Sequence, residues 1–507
     1  MDVELLGIGH SAQTVAIATV FFLGFFLFTK VNFNAQLRKL PAIGAGKGET
    51  YRKRFLEQGK AMYEDGYKKF KDSAFRITAY GEEQVIIGPR FLPELRKLPD
   101  SVLSFPKAVE LALETKYTKV ETEEPLLTHS IKADLTPALA RLNPIIFDEV
   151  ERAFHDEMPD CKDWTAVNVW SKIAAMVAKI SGRLFVGPEL CHDEKYLEMA
   201  VNYALQLNTA QEDIKKLRPI FKPWTAPRLE SVKKLHEARK QLEEFLAPII
   251  QSRRDAKDHD PNWIEPDDML SWLMKRQEEI GDTSTKRAAA MQLGLNFAAI
   301  LTTTLTTTNI LYTLAVSPDD VAMLREEVQK TLVEHGGTLT SRALQQMLKL
   351  DSYMKECMRF YPPGYTTFTR RVLKSFTLSN GQTIPAGVII ETPSHAVYQD
   401  PELYPGPNSS DTFDSLRSYK LRQAGGATEH ARNQFVTTNE QNLMFGYGRH
   451  ACPGRFFAAN EIKMILSRFL LNYEFKNEDG SDERYAQIEL GKVSAPNAEK
   501  SLLFRRI

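Results

Sequence analysis

Two stretches of this chain depart from the usual alternation of apolar and charged positions. Between Glu4 and Lys30 there are 25 residues without Asp, Glu, Lys or Arg, centred on the run from Val15 to Phe28. A bilayer core needs about 20 apolar residues as a helix, so residues about 12–29 predict a membrane-spanning anchor. A cleaved leader and a buried core helix have the same composition. Against cleavage, Asp2 and Glu4 precede the run in place of positive charge, and no small-x-small site follows it. Seven Lys/Arg residues within 30–54 put that side in the cytosol.

The second stretch lies mid-chain. Lys286 to about Val316 reads as one helix without an internal proline, on the order of 45 Å at 1.5 Å per residue. Another helix is expected from about Thr340 to Phe360, with Thr340 as its N-cap and Pro362-Pro363-Gly364 behind it. One continuous helix is the reading, and the pattern leaves room for a short break inside it. Between 366 and 398, β-branched runs are interrupted by Asn380-Gly381 and Pro385-Ala-Gly387, which predicts hairpins and a small sheet. No repeat or low-complexity linker follows Pro41. The expected architecture is mainly α with a small β portion: an anchor over 1–35 and one large domain over 36–507.

Composition narrows the function. With 65 Lys+Arg against 65 Asp+Glu, nothing global points to nucleic acid. The four cysteines, Cys161, Cys191, Cys357 and Cys452, form no CxxC pair and are too few and scattered for a disulfide framework. Three of them read as small buried hydrophobes.

Cys452 differs. It sits in Phe445-Gly-Tyr-Gly-Arg-His-Ala-Cys-Pro-Gly-Arg-Phe-Phe-Ala458, where Gly446, Gly448 and Gly454 surround it and an apolar helix-forming run follows. Glycines let backbone approach a large flat group and leave amide donors free. A cysteine just ahead of a helix gains thiolate character. Gly446 to Ala451 and Gly7 to Ala12 both fit GxGxxA; a dinucleotide site needs that pattern inside a strand–helix unit, and with the second at the apolar run and the first within the cysteine loop, neither is assigned to NAD(P).

The pattern Phe445, Gly446, Gly448, His450, Cys452 and Gly454 resembles the haem-binding loop of the cytochrome P450 family. Histidine two residues before the cysteine, with Pro-Gly-Arg-Phe-Phe-Ala after it, resembles the filamentous-fungal form. The resemblance implies the cytochrome P450 fold and haem b, with Cys452 as the iron's axial ligand and Phe445, Gly446 and Gly454 around it. It also implies that His450 hydrogen-bonds a haem propionate. Arg370 (or its neighbour Arg371) and Lys132 correspond to further propionate partners, although the tryptophan expected ahead of Lys132 is absent.

Further motifs follow in the family's order. Glu356 and Arg359 resemble its E-x-x-R helix, with Arg417 as third member of a structural network. Ala298-Ala-Ile-Leu-Thr302-Thr303 resembles the oxygen-binding helix, with Ala298 beside the haem and Thr302 and Thr303 relaying protons. Leu301 stands where the family usually has an acid. Fungal terpenoid-oxidising members show a related A-A-I-H-T-T form.

The implied activity is monooxygenation of a lipophilic substrate, such as a terpenoid or meroterpenoid of fungal secondary metabolism. It would use O2 and electrons from NADPH-cytochrome P450 reductase at the endoplasmic reticulum membrane, with the catalytic domain in the cytosol. Substrate contacts are expected from Ser104–Pro125, Phe297–Thr302, Gly364–Thr369 and Val493–Pro496. Two other readings are a haem-thiolate isomerase or dehydratase, suggested by Leu301, and a non-catalytic haem sensor.

Overall fold

A computed structural model describes residues 14, 15, 17–22, 24, 31–44, 46, 48–404 and 412–507. Half of the expected anchor at about 12–29 lies outside the described residues. The described positions between Thr14 and Gly24 are helical, and Val15, Ile17, Val20, Phe21 and Phe22 among them are exposed.

After a helical stretch at 31–38 the chain runs through α1 (Glu49–Lys69) and a small sheet, then turns mainly helical. The main helices are α2 (Thr136–Glu157), α3 (Val169–Phe185), α4 (Glu194–Lys216), α5 (Glu230–His259), α6 (Met269–Glu279), α7 (Thr285–Leu314), α8 (Pro318–Glu334), α9 (Leu348–Phe360) and α10 (Arg455–Asn472). One five-stranded sheet has the order β1 (Phe75–Ala79), β2 (Glu82–Ile86), β8 (Ile389–Thr392), β5 (Thr367–Val372), β3 (Leu103–Ser104). Its β2–β8 pair is parallel and the others antiparallel. A second sheet joins β4 (Thr165–Asn168), β12 (Ser501–Arg506) and β9 (Tyr473–Asn477), and two hairpins pair β6 (Phe376–Thr377) with β7 (Thr383–Ile384) and β10 (Gln487–Leu490) with β11 (Val493–Pro496). The β6–β7 turn is Asn380-Gly381, where Gly381 has φ 84°. Expectation and structure agree on the mainly α class with a minor β part.

α7 is the axis of the helical body, packed on α3, α4, α5 and α10. It starts where Ser284 accepts a hydrogen bond from Arg287 N at 3.2 Å. Its buried Leu293, Leu295, Ile300, Ile310, Leu311 and Leu314 each contribute about 1.5–3 kcal/mol by leaving water. Among the described residues it is the helix long and apolar enough to cross a membrane, and 56% of that apolar window is buried inside the fold. It is a core helix here.

The helix expected over Thr340–Phe360 is broken at Met347, after a short turn over Ser341–Gln346. Thr340 caps that turn by accepting from Ala343 N at 3.3 Å. The break has a tertiary cause: Glu327 of α8 accepts from Lys349 N and Leu350 N at 2.8 and 2.9 Å, capping α9 from outside. Ahead of α2, residues Ile131–Leu135 form a π turn that continues the helix Pro125–Ser130. Thr136 Oγ1 donates to Ile131 O at 2.9 Å, and Ser130 Oγ donates to Asp134 Oδ2 at 2.8 Å, so side chains stabilise the widened turn. Such turns concentrate at functional sites.

Candidate active site

The loop 445–454 is shaped by its glycines. Gly446 and Gly448 have φ 77° and 74°, a region costly for residues with a Cβ. This turn lets Cys452 N–H donate to Phe445 O at 2.7 Å and Ala451 N–H to Gly448 O at 3.1 Å. Phe445 stands edge-on to Phe435 at 5.2 Å. A Cβ at Gly454 would meet nothing within 4 Å, so open space lies beside the cysteine. α10 starts at Arg455, whose guanidinium donates to Cys452 O at 2.8 Å.

Burial pushes the Cys452 thiol above its usual range, against the Gly454 and Arg455 amides and the Arg455 charge, which lower it. A thiol so placed ionises when a metal cation faces it.

The cations expected around this loop fall in three different states. Arg370, on β5, is 5% exposed and forms no ion pair among the described residues. Its guanidinium lies over the Phe105 and Phe368 rings at 4.9 and 4.3 Å and donates to Thr369 O. Burial holds it down to about 10. A buried guanidinium without a carboxylate is expensive unless an anion meets it, which fits a haem propionate. Lys132 projects from the π turn and donates to Arg449 O, in the cysteine loop, at 3.4 Å. It is exposed, but it stands at the loop as expected.

His450 stacks on Phe105 at 5.0 Å, with 27° between the rings. Its Nε2 contacts Asp100 Oδ1 at 2.9 Å, and burial lowers its pKa against the Asp100 interaction. Asp100 and Phe105 were invisible to motif reading. Neither belongs to a recognisable pattern; only the fold brings the segment after Pro99 to the cysteine loop.

On α7, the exposed positions between Ala288 and Leu314 are Ala298 and Thr302, one turn apart. A core helix that bares two small or hydroxylic residues on one face lines open space. Thr302 Oγ1 donates to Ala298 O at 2.7 Å. Thr303 is buried instead, its hydroxyl beside Glu461 of α10. Glu461 accepts from Ser181 Oγ at 2.8 Å and is pushed up to about 8 by burial. Gly364 and Val493 form an isolated bridge, joining two of the expected substrate segments.

Behind the loop, Arg359 makes a fork to Glu356 at 2.9 and 2.8 Å, and Arg417 Nε reaches Glu356 at 3.2 Å. The expected triad is therefore present and buried. A second hub was missed: Asp351 of α9 pairs with Lys463 of α10 at 2.7 Å and with Arg422 at 2.9 Å, and accepts from Phe435 N at 2.9 Å.

Comparison with known proteins agrees with this geometry. The family model "Cytochrome P450" matches residues 115–504. Cytochrome P450 monooxygenase TES1 of Alternaria alternata is 36% identical over 98% of this chain and 94% of its own length. Cytochrome P450 monooxygenase ATR3 of Stachybotrys chlorohalonatus is 36% identical over 84% of this chain and 89% of its own. In fold, the chain superposes on the retinoic acid-bound cyanobacterial CYP120A1 with TM-score 0.67 at 19% identity, covering 92% of this chain and 99% of that one. With relatives aligned along nearly its whole length, and Cys452 on the loop that would present it to haem iron, the chain belongs to the cytochrome P450 family and is a monooxygenase.

Proposed function

We propose that the chain is a membrane-anchored, haem b-dependent oxidase of a terpenoid or meroterpenoid in fungal secondary metabolism. Its electrons come from NADPH through the endoplasmic reticulum's cytochrome P450 reductase. The observation that carries the lipophilic substrate is the bared face of α7: Ala298 and Thr302 are exposed between the partly buried Phe297, Ala299 and Leu301, with no fixed charge among them. The sequence pattern shared with fungal terpenoid-oxidising members supports the substrate class. The apolar run before Lys30 supports the anchor. So do Ile220, Phe221 and Trp224, exposed beside Arg218 and Lys222 in the segment after α4, a composition suited to a membrane surface.

Bound haem-thiolate iron supplies the activation of O2. The residues do the rest. Cys452 ligates from the loop, and Arg370 and Lys132 answer the propionates. With Nε2 of His450 on Asp100, its Nδ1 is the nitrogen left for a propionate. Thr302 Oγ1 stands on the bared face with its proton on the Ala298 carbonyl at 2.7 Å, from which it would be handed on. Thr303, turned toward Glu461, has no place in that relay as a direct donor.

Removing the Thr302 hydroxyl takes away a general acid, a contribution of about 10²–10⁴-fold in rate. Thr302→Ala is expected to keep haem content and NADPH consumption. Product formed per NADPH should fall by at least about tenfold as hydrogen peroxide rises. Unchanged coupling would remove Thr302 from the relay. The same assay, run with a panel of terpenoid alcohols, tests the function. Product that forms without NADPH and reductase would favour the isomerase reading suggested by Leu301.

A further inference from the structure

A second set of metal-ligating side chains stands outside the Cys452 loop. Glu149 projects from α2, and Cys191 and His192 lie in the loop joining α3 to α4. One ligand atom from each, a carboxylate oxygen, a thiol sulfur and a ring nitrogen, lies within 4.8 Å of the other two. Bond lengths of about 2.0–2.3 Å place the ligands of a tetrahedral ion roughly 3.2–3.8 Å apart. Glu149 Oε1 and His192 Nε2 are already 2.9 Å apart, and an outer separation of 4.8 Å would have to close by about 1.0–1.6 Å.

The loop holds this arrangement without an ion. Cys191 N–H donates to Gly187 O at 3.2 Å, and Cys191 Sγ donates to Pro188 O at 3.5 Å. Asp193 caps α4 by accepting from Tyr196 N at 2.8 Å. The loop seats closely on α3: a Cβ at Gly182 would stand 3.4 Å from the Cys191 Cβ.

The electrostatics of the cluster are unfinished. Glu149 is 4% exposed and Cys191 0%. Glu149 Oε1 lies 2.9 Å from His192 Nε2, yet it makes no aligned hydrogen bond and is left unsatisfied. On its other side the ring nitrogen meets a cation: Arg152 Nη1 is 3.2 Å from His192 Nε2. Arg152 is exposed and can withdraw its head into water. Arg183 and Arg152 both act on the thiol, but burial and Glu149 outweigh them and push it up to about 12.

We propose that Glu149, Cys191 and His192 form a second metal site for one zinc-class divalent cation, with water as fourth ligand and Arg152 displaced. The mixed sulfur, nitrogen and oxygen set suits a borderline ion, whereas magnesium and calcium call for oxygen ligands. As the sulfur–metal bond forms, the thiol proton passes to solvent and nothing is oxidised or reduced. One thiolate and one carboxylate then neutralise the dication. The bound ion ties α2 to the root of α4.

The test needs no substrate. Purified holoenzyme is stripped with a chelator, loaded with zinc chloride and desalted, and zinc per chain is counted by mass spectrometry. Wild type should retain about one zinc per chain beyond the haem iron. His192→Ala and Cys191→Ser should each retain at least tenfold less at unchanged haem content. Should Cys191→Ser fold poorly, the partly exposed His192 still provides the comparison. Cadmium alone is the second probe: its thiolate charge-transfer absorbance should appear in wild type and vanish in Cys191→Ser. Wild type that retains no zinc, or no more than His192→Ala, overturns the proposal.

Discussion

Cys452→Ser is expected to yield a folded chain whose reduced carbon monoxide complex lacks the red-shifted Soret band and whose monooxygenase turnover is lost. Serine preserves the shape. The contacts that close the loop, Cys452 N–H to Phe445 O and the Arg455 guanidinium to Cys452 O, use backbone atoms and survive the exchange. The loss is therefore chemical. A serine hydroxyl ionises far less readily than a thiol and is a harder donor, so it cannot give iron the electron push that drives O–O cleavage. Removing an outer-shell partner of a metal costs roughly 10–100-fold, and removing the ligand itself should exceed that. Spectra of the two proteins side by side decide the matter. A red-shifted band in the variant would place the thiolate elsewhere.

Glu356→Ala is expected to be the most damaging substitution for folding. Arg359 and Glu356 are each 3% exposed and Arg417 is 9% exposed. Deleting the carboxylate removes the anion that Arg359 and Arg417 share. Breaking a buried pair from one side costs about 3–5 kcal/mol, against a total stability of about 5–15 kcal/mol. The Arg359–Tyr398 O and Arg417–Thr412 O bonds, at 2.6 and 3.1 Å, do not involve the deleted carboxylate. The yield of haem-loaded protein should collapse, with a fall in Tm of several degrees in whatever is recovered. Arg359→Lys keeps the charge but loses the two-pronged geometry, so it should fall between the two. Wild-type Tm and haem content in Glu356→Ala would contradict the triad's structural role.

What could be read in advance was local. The long helix was expected from Lys286 to about Val316 and runs Thr285–Leu314, because its signals, helical periodicity and the absence of proline, are in the segment itself. The break at Met347 depends on Glu327, a residue of another helix, and no window around Met347 contains it. Strand β12 pairs with β4 across more than 330 positions, a partnership that periodicity does not encode. Thr302 and Thr303 were equivalent as residue types. Neighbours on a helix differ by about 100°, and the packing of α10 buries Thr303 beside Glu461 while Thr302 stays exposed. The cysteine loop was the most legible part because its glycines, helix start and ligand are contiguous. Its companions Asp100 and Phe105 come from a segment with no motif of its own.

The π turn at Ile131–Leu135 has a bearing on how this protein can tolerate change in length. A widened turn holds one residue more than a regular one, and that surplus sets the angular phase between Pro125–Ser130 and α2. Deleting a single residue there, Ala133 for example, would heal the helix into continuous α form. Everything upstream would then rotate by about 100° and shift by about 1.5 Å relative to α2. Lys132 would turn away from the Arg449 carbonyl it now meets. Along most helix surfaces a point substitution is the unit of tolerated change; at this turn, residue count itself is under constraint.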